Sequence, residues 1–162
     1  REEVMGVFKR WFALTNLIVI GIALLAYNGI LTTIVTTDVS GISTVIFASF
    51  IISLIVTGVL SYRVGKDQGM SRADDNMLYI GWFIAEVLMI LGLAGTVIGF
   101  IVLFDANFSD VSFDSPESVK VIIVAIASGM GVALYTTITG IIGSLLTKML
   151  LVNVEVTINE QE

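Results

Sequence analysis

The sequence predicts an all-α membrane protein with four transmembrane helices. Three observations lead there. Of 162 residues, 56% are hydrophobic and only 14% charged, where a soluble domain carries about a quarter charged. Mean hydropathy is +0.99. The apolar residues also gather into runs long enough to cross a bilayer, with a single proline in the whole chain. The length suits one bundle with no separate soluble domain. No cysteine and no histidine is present, which removes disulfides, thiol catalysis and the usual zinc ligands. A net charge of -6 argues against nucleic acid, which wants a basic patch.

In chain order, a polar lead-in with Lys9 and Arg10 precedes Trp11, placed as an interfacial aromatic. The first span is expected over 12–35, tilted, and a second over 42–62, with a tight polar turn at 36–41 between them. The two make an outer hairpin with few polar atoms, read as a lipid-facing scaffold. The apolar run is too long for a signal peptide and leads straight into others. A charged loop, 63–76, leads to a third span over 77–104. An acidic loop, 105–117, closes on Ser115-Pro116-Glu117, a helix start. The fourth helix covers 118–150 and reaches past a bilayer core of roughly 30 Å, so one end should protrude. In the tail, 151–162, Val152, Val154, Val156 and Ile158 alternate with polar residues. Strand and continuing helix are both open there.

Four spans put the N-terminus, the 63–76 loop and the C-terminus on one side. That side holds Arg1, Lys9, Arg10, Arg63, Lys66, Arg72 and Lys148; the other holds only Lys120, beside Asp38, Asp105, Asp110, Asp114 and Glu117. The positive-inside rule then assigns both termini to the cytoplasm.

Two stretches break the plain apolar pattern. On the third helix Ala85, Gly92, Thr96, Gly99 and Leu103 share one side, and Gly95 with Gly99 forms a small-xxx-small pair. That stripe lets a neighbouring backbone approach and puts one hydroxyl, Thr96, in its middle. On the fourth helix Met130, Ala133, Thr137, Ile141, Ser144 and Lys148 share a face, read as a smooth pore wall with spaced hydroxyls. The adjacent face, Gly129, Ala133, Thr136, Gly140, Gly143 and Thr147, reads as a packing seam. The plainer alternative is that each threonine bonds to its own preceding turn.

Glu86 is the one acid inside an expected span. It is either solvated at headgroup level, or a cytoplasmic ion exit or inter-subunit partner of Lys148. Lys148 itself reads as a snorkelling anchor. No nucleophile–base pair and no Gly-rich phosphate loop is present, so no enzymatic activity is expected.

These residues resemble a family. Gly92-Leu93-Ala94-Gly95-Thr96-Val97-Ile98-Gly99 is similar to the GLxGTVxG signature of the MotA/TolQ/ExbB proton-channel family. Ala133-Leu134-Tyr135-Thr136-Thr137-Ile138-Thr139-Gly140-Ile141 is similar to the ALxxTxxGL segment of that family's last helix. The two occur in the family's order, and the resemblance covers roughly 85–148. Four spans match the flagellar stator subunit, although its large cytoplasmic region is here reduced to the 63–76 loop. Val132 stands where the TolQ and ExbB branch has a glutamate, and neither the third nor the fourth helix carries the stator branch's proline.

The resemblance implies a homopentameric ring in the inner membrane around two copies of a single-span MotB/TolR/ExbD-like partner. Helices three and four would then line the pore. Thr96 and Thr137, with Met130, Ala133 and Ser144, would form the ion path, while Gly92, Gly95, Gly99, Gly140 and Gly143 pack the helices. A proton relay in lipid needs a titratable group, and none lies near Thr96 or Thr137, so the partner's aspartate would supply it. The cargo would be H+, with Na+ as the alternative, and no cofactor is implied. The function expected is ion flow coupled to rotation or force on a partner. The rival readings are a self-assembling pore or a helical scaffold with no moving partner.

Overall fold

The computed structural model describes residues 4–38, 41–66, 72–108 and 116–159. Five α-helices make up its elements: α1 (Val4–Tyr27), α2 (Ile30–Thr37), α3 (Ile42–Lys66), α4 (Arg72–Phe108) and α5 (Pro116–Asn159). No strand occurs among the described residues. Four helices are long and apolar enough to cross a membrane, over Gly6–Tyr27, Ile42–Lys66, Arg72–Val102 and Ala133–Ile158. The described residues are therefore all-helical apart from short turns, with the makings of a multi-pass membrane protein.

The first span differs from the expected 12–35. Asn28 Nδ2 donates to the Leu24 carbonyl at 2.8 Å, drawing the end of α1 into a cap. Gly29 then takes φ 75°, a left-handed turn that only glycine adopts at little cost. Both the Thr33 amide and its hydroxyl donate to the Gly29 carbonyl at 3.0 Å, and α2 starts afresh. The single tilted helix is thus a helix of 24 residues followed by a short one of 8. The Asn28-Gly29 pair is a turn signal, and the single span expected over 12–35 ran through it. A second glycine turn joins α2 to α3. Gly41 has φ 69°, and the Ser43 amide donates to Asp38 Oδ2 at 2.6 Å.

The N-terminal pair is not an outer scaffold on both sides. Whereas α1 is mostly open, α3 packs against α1, α4 and α5. Its inward stripe carries Ser43, Ser53, Thr57 and Ser61, all fully buried, alternating with Ile46, Phe50, Leu60 and Val64. Ser53 and Thr147 of α5 share a hydrogen bond at 2.9 Å, and the Trp11 indole donates to Thr57 Oγ1 at 3.2 Å. Trp11 therefore ties α1 to α3, besides any interfacial role. Small hydroxyl residues bring helices close and bond across them in lipid, where bulk hydrophobicity gives no drive to associate.

Two apolar clusters divide the core. Ile18, Ile46, Phe50, Leu88 and Leu150 form one through the middle of the bundle. Val7, Leu60, Val64, Val154 and Ile158, with Met77 and Leu78 against them, form the other. This second cluster gathers the start of α1, the end of α3, the start of α4 and the end of α5, so the basic residues of those segments share one end. It also decides the tail. Leu150, Leu151, Val154, Thr157 and Ile158 are buried at helical spacing, and α5 runs through Asn159. The two-residue alternation was coincidental.

The expected loops shrink accordingly. Helix α3 reaches Lys66 and α4 begins at Arg72; α4 reaches Phe108 and α5 begins at Pro116. The remainder of the 63–76 and 105–117 segments, and 160–162 of the tail, lies outside the described residues. With 37 and 44 residues, α4 and α5 are about 55 and 66 Å long, far more than a hydrocarbon core of roughly 30 Å.

Candidate functional site at the α4–α5 crossing

Helices α4 and α5 form the most extensive contact in the molecule, and glycine permits it. A Cβ placed on Gly140 would stand 2.6 Å from the Leu88 carbonyl oxygen and 2.7 Å from Gly92 Cα. One on Gly92 would meet Gly140 Cα and the Thr136 carbonyl at 3.1 Å. The backbones touch here, with no side chain between them. One turn further along α4, a Cβ on Gly95 would meet Thr136 Oγ1 at 2.7 Å, and beyond it one on Gly99 would meet Ala133 Cβ at 3.3 Å. Gly143 is looser, with Phe50 and Leu88 at 3.6 to 3.8 Å from its virtual Cβ.

This close approach brings three threonines onto two carbonyls. Thr96 and Thr137 hydrogen-bond to each other through their hydroxyls. Thr96 Oγ1 also contacts the Ala133 carbonyl across the seam at 3.0 Å and its own Gly92 carbonyl at 3.3 Å. Thr137 Oγ1 reaches Gly92 O at 3.2 Å. Thr136 donates to Ala133 O at 2.8 Å, with Gly92 O a further 3.5 Å contact. Thr139, by contrast, simply bonds back to Tyr135 O at 2.8 Å. The plainer reading, of threonines bonded only to their own preceding turn, thus fits Thr139 and fails for Thr96 and Thr137.

Each threonine has one hydroxyl hydrogen. Between them, Thr96 and Thr137 have two hydrogens for four acceptor oxygens: the Ala133 and Gly92 carbonyls and the two hydroxyls themselves. The pair can therefore exchange its hydrogen-bond pattern without moving an atom heavier than hydrogen. Both side chains are half-buried at the edge of the seam. Thr136, expected in the packing seam, is buried there and joins the hydroxyl cluster as well.

The expected pore wall is not one surface. Ala133 is wholly buried and Ser144 only 4% exposed, since α5 is enclosed by α4 on one side and by α3 and α1 on the other. That wide enclosed arc takes in the adjoining face as well, including Thr136, Gly140, Gly143 and Thr147. Met130, in the same expected row, faces outward at 44% exposure, with Ile141. Of that row only Thr137 sits at the boundary between interior and surface and takes part in the hydroxyl cluster.

Glu86 is on the open surface of α4, ten residues and about 15 Å along the helix from Thr96. It forms no ion pair with Lys148 within the chain. No group of three or more acids able to hold a metal occurs among the described residues. Comparison with family models, with curated proteins and with solved structures gives no match.

Proposed function

We propose that this chain is the ring subunit of an ion-motive-force-driven membrane motor of the MotA/TolQ/ExbB type. Five copies would surround two single-span partners of the MotB/TolR/ExbD type in a bacterial-type inner membrane. The basic end of the bundle, with both termini, faces the cytoplasm on this reading. One observation carries it: the Thr96–Thr137 hydroxyl pair bridging a glycine crossing at the edge of α4 and α5. A hydroxyl pair with an exchangeable hydrogen pattern can pass or orient a proton, but cannot hold a charge at neutral pH. An acid must come from outside, and a partner's intramembrane aspartate has that chemistry. Protonation of that aspartate beside each subunit's hydroxyl pair in turn would couple ion flow to stepwise rotation. Sodium could be carried by the same oxygens.

Native mass spectrometry of the complex from its own host membrane tests the proposal. Five copies of this chain with two of a small single-span protein are expected. A ring of this chain alone, intact in gentle detergent, would overturn it.

A second reading has its own support. The hydroxyls are satisfied within the chain, as in a static clasp between helices, and a self-assembling pore or scaffold would need no more. Thr137→Val separates the two, because a clasp loses only stability while a coupling element loses ion-driven work.

A further inference from the structure

A groove of about 880 Å³ runs between α1 and α3 to the start of α4. Its α3 wall is a helical stripe from Ile51 through Leu54, Ile55 and Val59 to Tyr62, Arg63 and Lys66. Opposite, Phe8 and Trp11 stack at 5.6 Å between ring centroids, and Tyr62 meets Phe8 edge-on at 6.0 Å. Trp11 lies flat on Gly58, where a Cβ would stand 2.7 Å from the indole.

The groove is graded along its length. At the basic end lie Arg63 and Lys66, with exposed Lys9 and Arg10 on the adjoining turn of α1. Aromatic rings come next, and the far half is aliphatic. Arg63 shares its charge with Asp74 at 3.7 Å and keeps half its side chain exposed; Lys66 pairs with no acid among the described residues. The length also suits a lipid of one leaflet. From Ile51 to Lys66 the helix rises about 22 Å, and one leaflet with its headgroups spans half of roughly 40–45 Å.

We propose that this groove retains one anionic phospholipid from the leaflet at the basic end. Its phosphate meets Lys66 and Arg63, and an acyl chain lies against Ile51, Leu54 and Ile55. A cationic rim above aromatic and then aliphatic walls complements an anionic amphiphile, whereas a partner helix would need no such gradient. The inference rests on the chain lying in a bilayer and is independent of the motor reading.

The test is native mass spectrometry of the purified full chain in detergent doped with phosphatidylglycerol or with phosphatidylcholine of the same acyl chains. Wild type is expected to retain one phosphatidylglycerol in preference. Each basic residue near an anionic headgroup contributes about fivefold. Arg63→Gln with Lys66→Gln should therefore lower the preference about 5- to 25-fold, the lower figure applying if Asp74 already neutralises Arg63. Lys66→Gln alone, at an exposed site, serves if replacing Arg63 disturbs the start of α4. Val59→Trp, also exposed, should fill the groove and release either lipid while helicity and melting stay unchanged. Equal retention of the two lipids by wild type, or a preference unchanged by the charge variants, would overturn the proposal. So would displacement of the lipid by inorganic phosphate alone, or a dimer of the chain that Val59→Trp disrupts in its place.

Discussion

Two glycines three residues apart on α5 should respond to alanine in opposite directions. At Gly140 the new methyl would meet the Leu88 carbonyl oxygen at 2.6 Å, Gly92 Cα at 2.7 Å and Gly92 N at 3.0 Å. All three are backbone atoms and none can rotate away. Restoring ordinary contact, about 3.5 Å or more, requires α4 and α5 to part locally by about 1 Å. That separation carries the Thr96–Ala133 contact from 3.0 Å beyond hydrogen-bonding range, at about 0.6 kcal/mol for a typical interhelical bond in a membrane protein. Overpacking costs about 1–3 kcal/mol, while replacing a mid-helix glycine returns about 0.5–1 kcal/mol. The net expectation for Gly140→Ala is a loss of about 1–3 kcal/mol. At Gly143 the nearest atoms are the ends of Phe50 and Leu88, 3.6 to 3.8 Å away. A methyl there gains packing and helix propensity, so Gly143→Ala should stabilise by about 0.5–1 kcal/mol. Unfolding of the purified chain by SDS in mixed micelles, followed by tryptophan fluorescence and far-UV circular dichroism, measures both. Equal stability of the two variants, or a more stable Gly140→Ala, would refute a backbone-to-backbone crossing at Gly92 and Gly140.

Thr137→Val keeps the shape and removes the hydroxyl, and should cost at most about 1.7 kcal/mol of stability while abolishing ion-driven work; proteoliposome flux with the partner present reads the second effect. Gly29→Ala meets nothing within 4 Å, so its cost is the left-handed backbone alone, about 1–2 kcal/mol, read as a lower melting temperature. Val154→Asp places a charge at a wholly buried position and should cost more than about 3 kcal/mol. The end of α5 should then unwind and become open to trypsin after Lys148, while the α4–α5 crossing persists.

The helical class and the common end shared by the basic segments were legible because hydropathy and charge report directly on membrane spans. So were the small residues of the crossing, since Gly92, Gly95, Gly99 and Gly140 have no purpose toward lipid. What hydropathy could not supply was which apolar face meets protein and which meets lipid. Ala133 and Met130 lie on the same side of a helical wheel, yet one is enclosed by a second layer of helices and the other is open. The hairpin misled for a related reason. Ser53, Thr57 and Ser61 are diluted among Ile, Leu and Val in any window average, although their spacing of four marks one inward stripe. The break at Asn28-Gly29 is readable in two letters, but a hydropathy window over 12–35 hides it among the apolar residues on either side. At the tail, Val154 and Ile158 fit a period of two as well as one of four, and only the buried partners Val7 and Leu60 distinguish them.

The length of α5 makes it a lever. Its fulcrum is the bare contact of Gly140 on Gly92, where backbone meets backbone with no side chain between them. Asn159 lies nineteen residues further on, an arm of about 28 Å, so a swing of about 10° at the crossing would move that end by about 5 Å. The arm is not free at its tip, because Val154 and Ile158 are wedged among Val7, Leu60 and Val64. Any tilt of α5 about the crossing is therefore passed on to the ends of α1 and α3. A small change of angle at the crossing would be felt as a larger displacement at the basic end of the bundle.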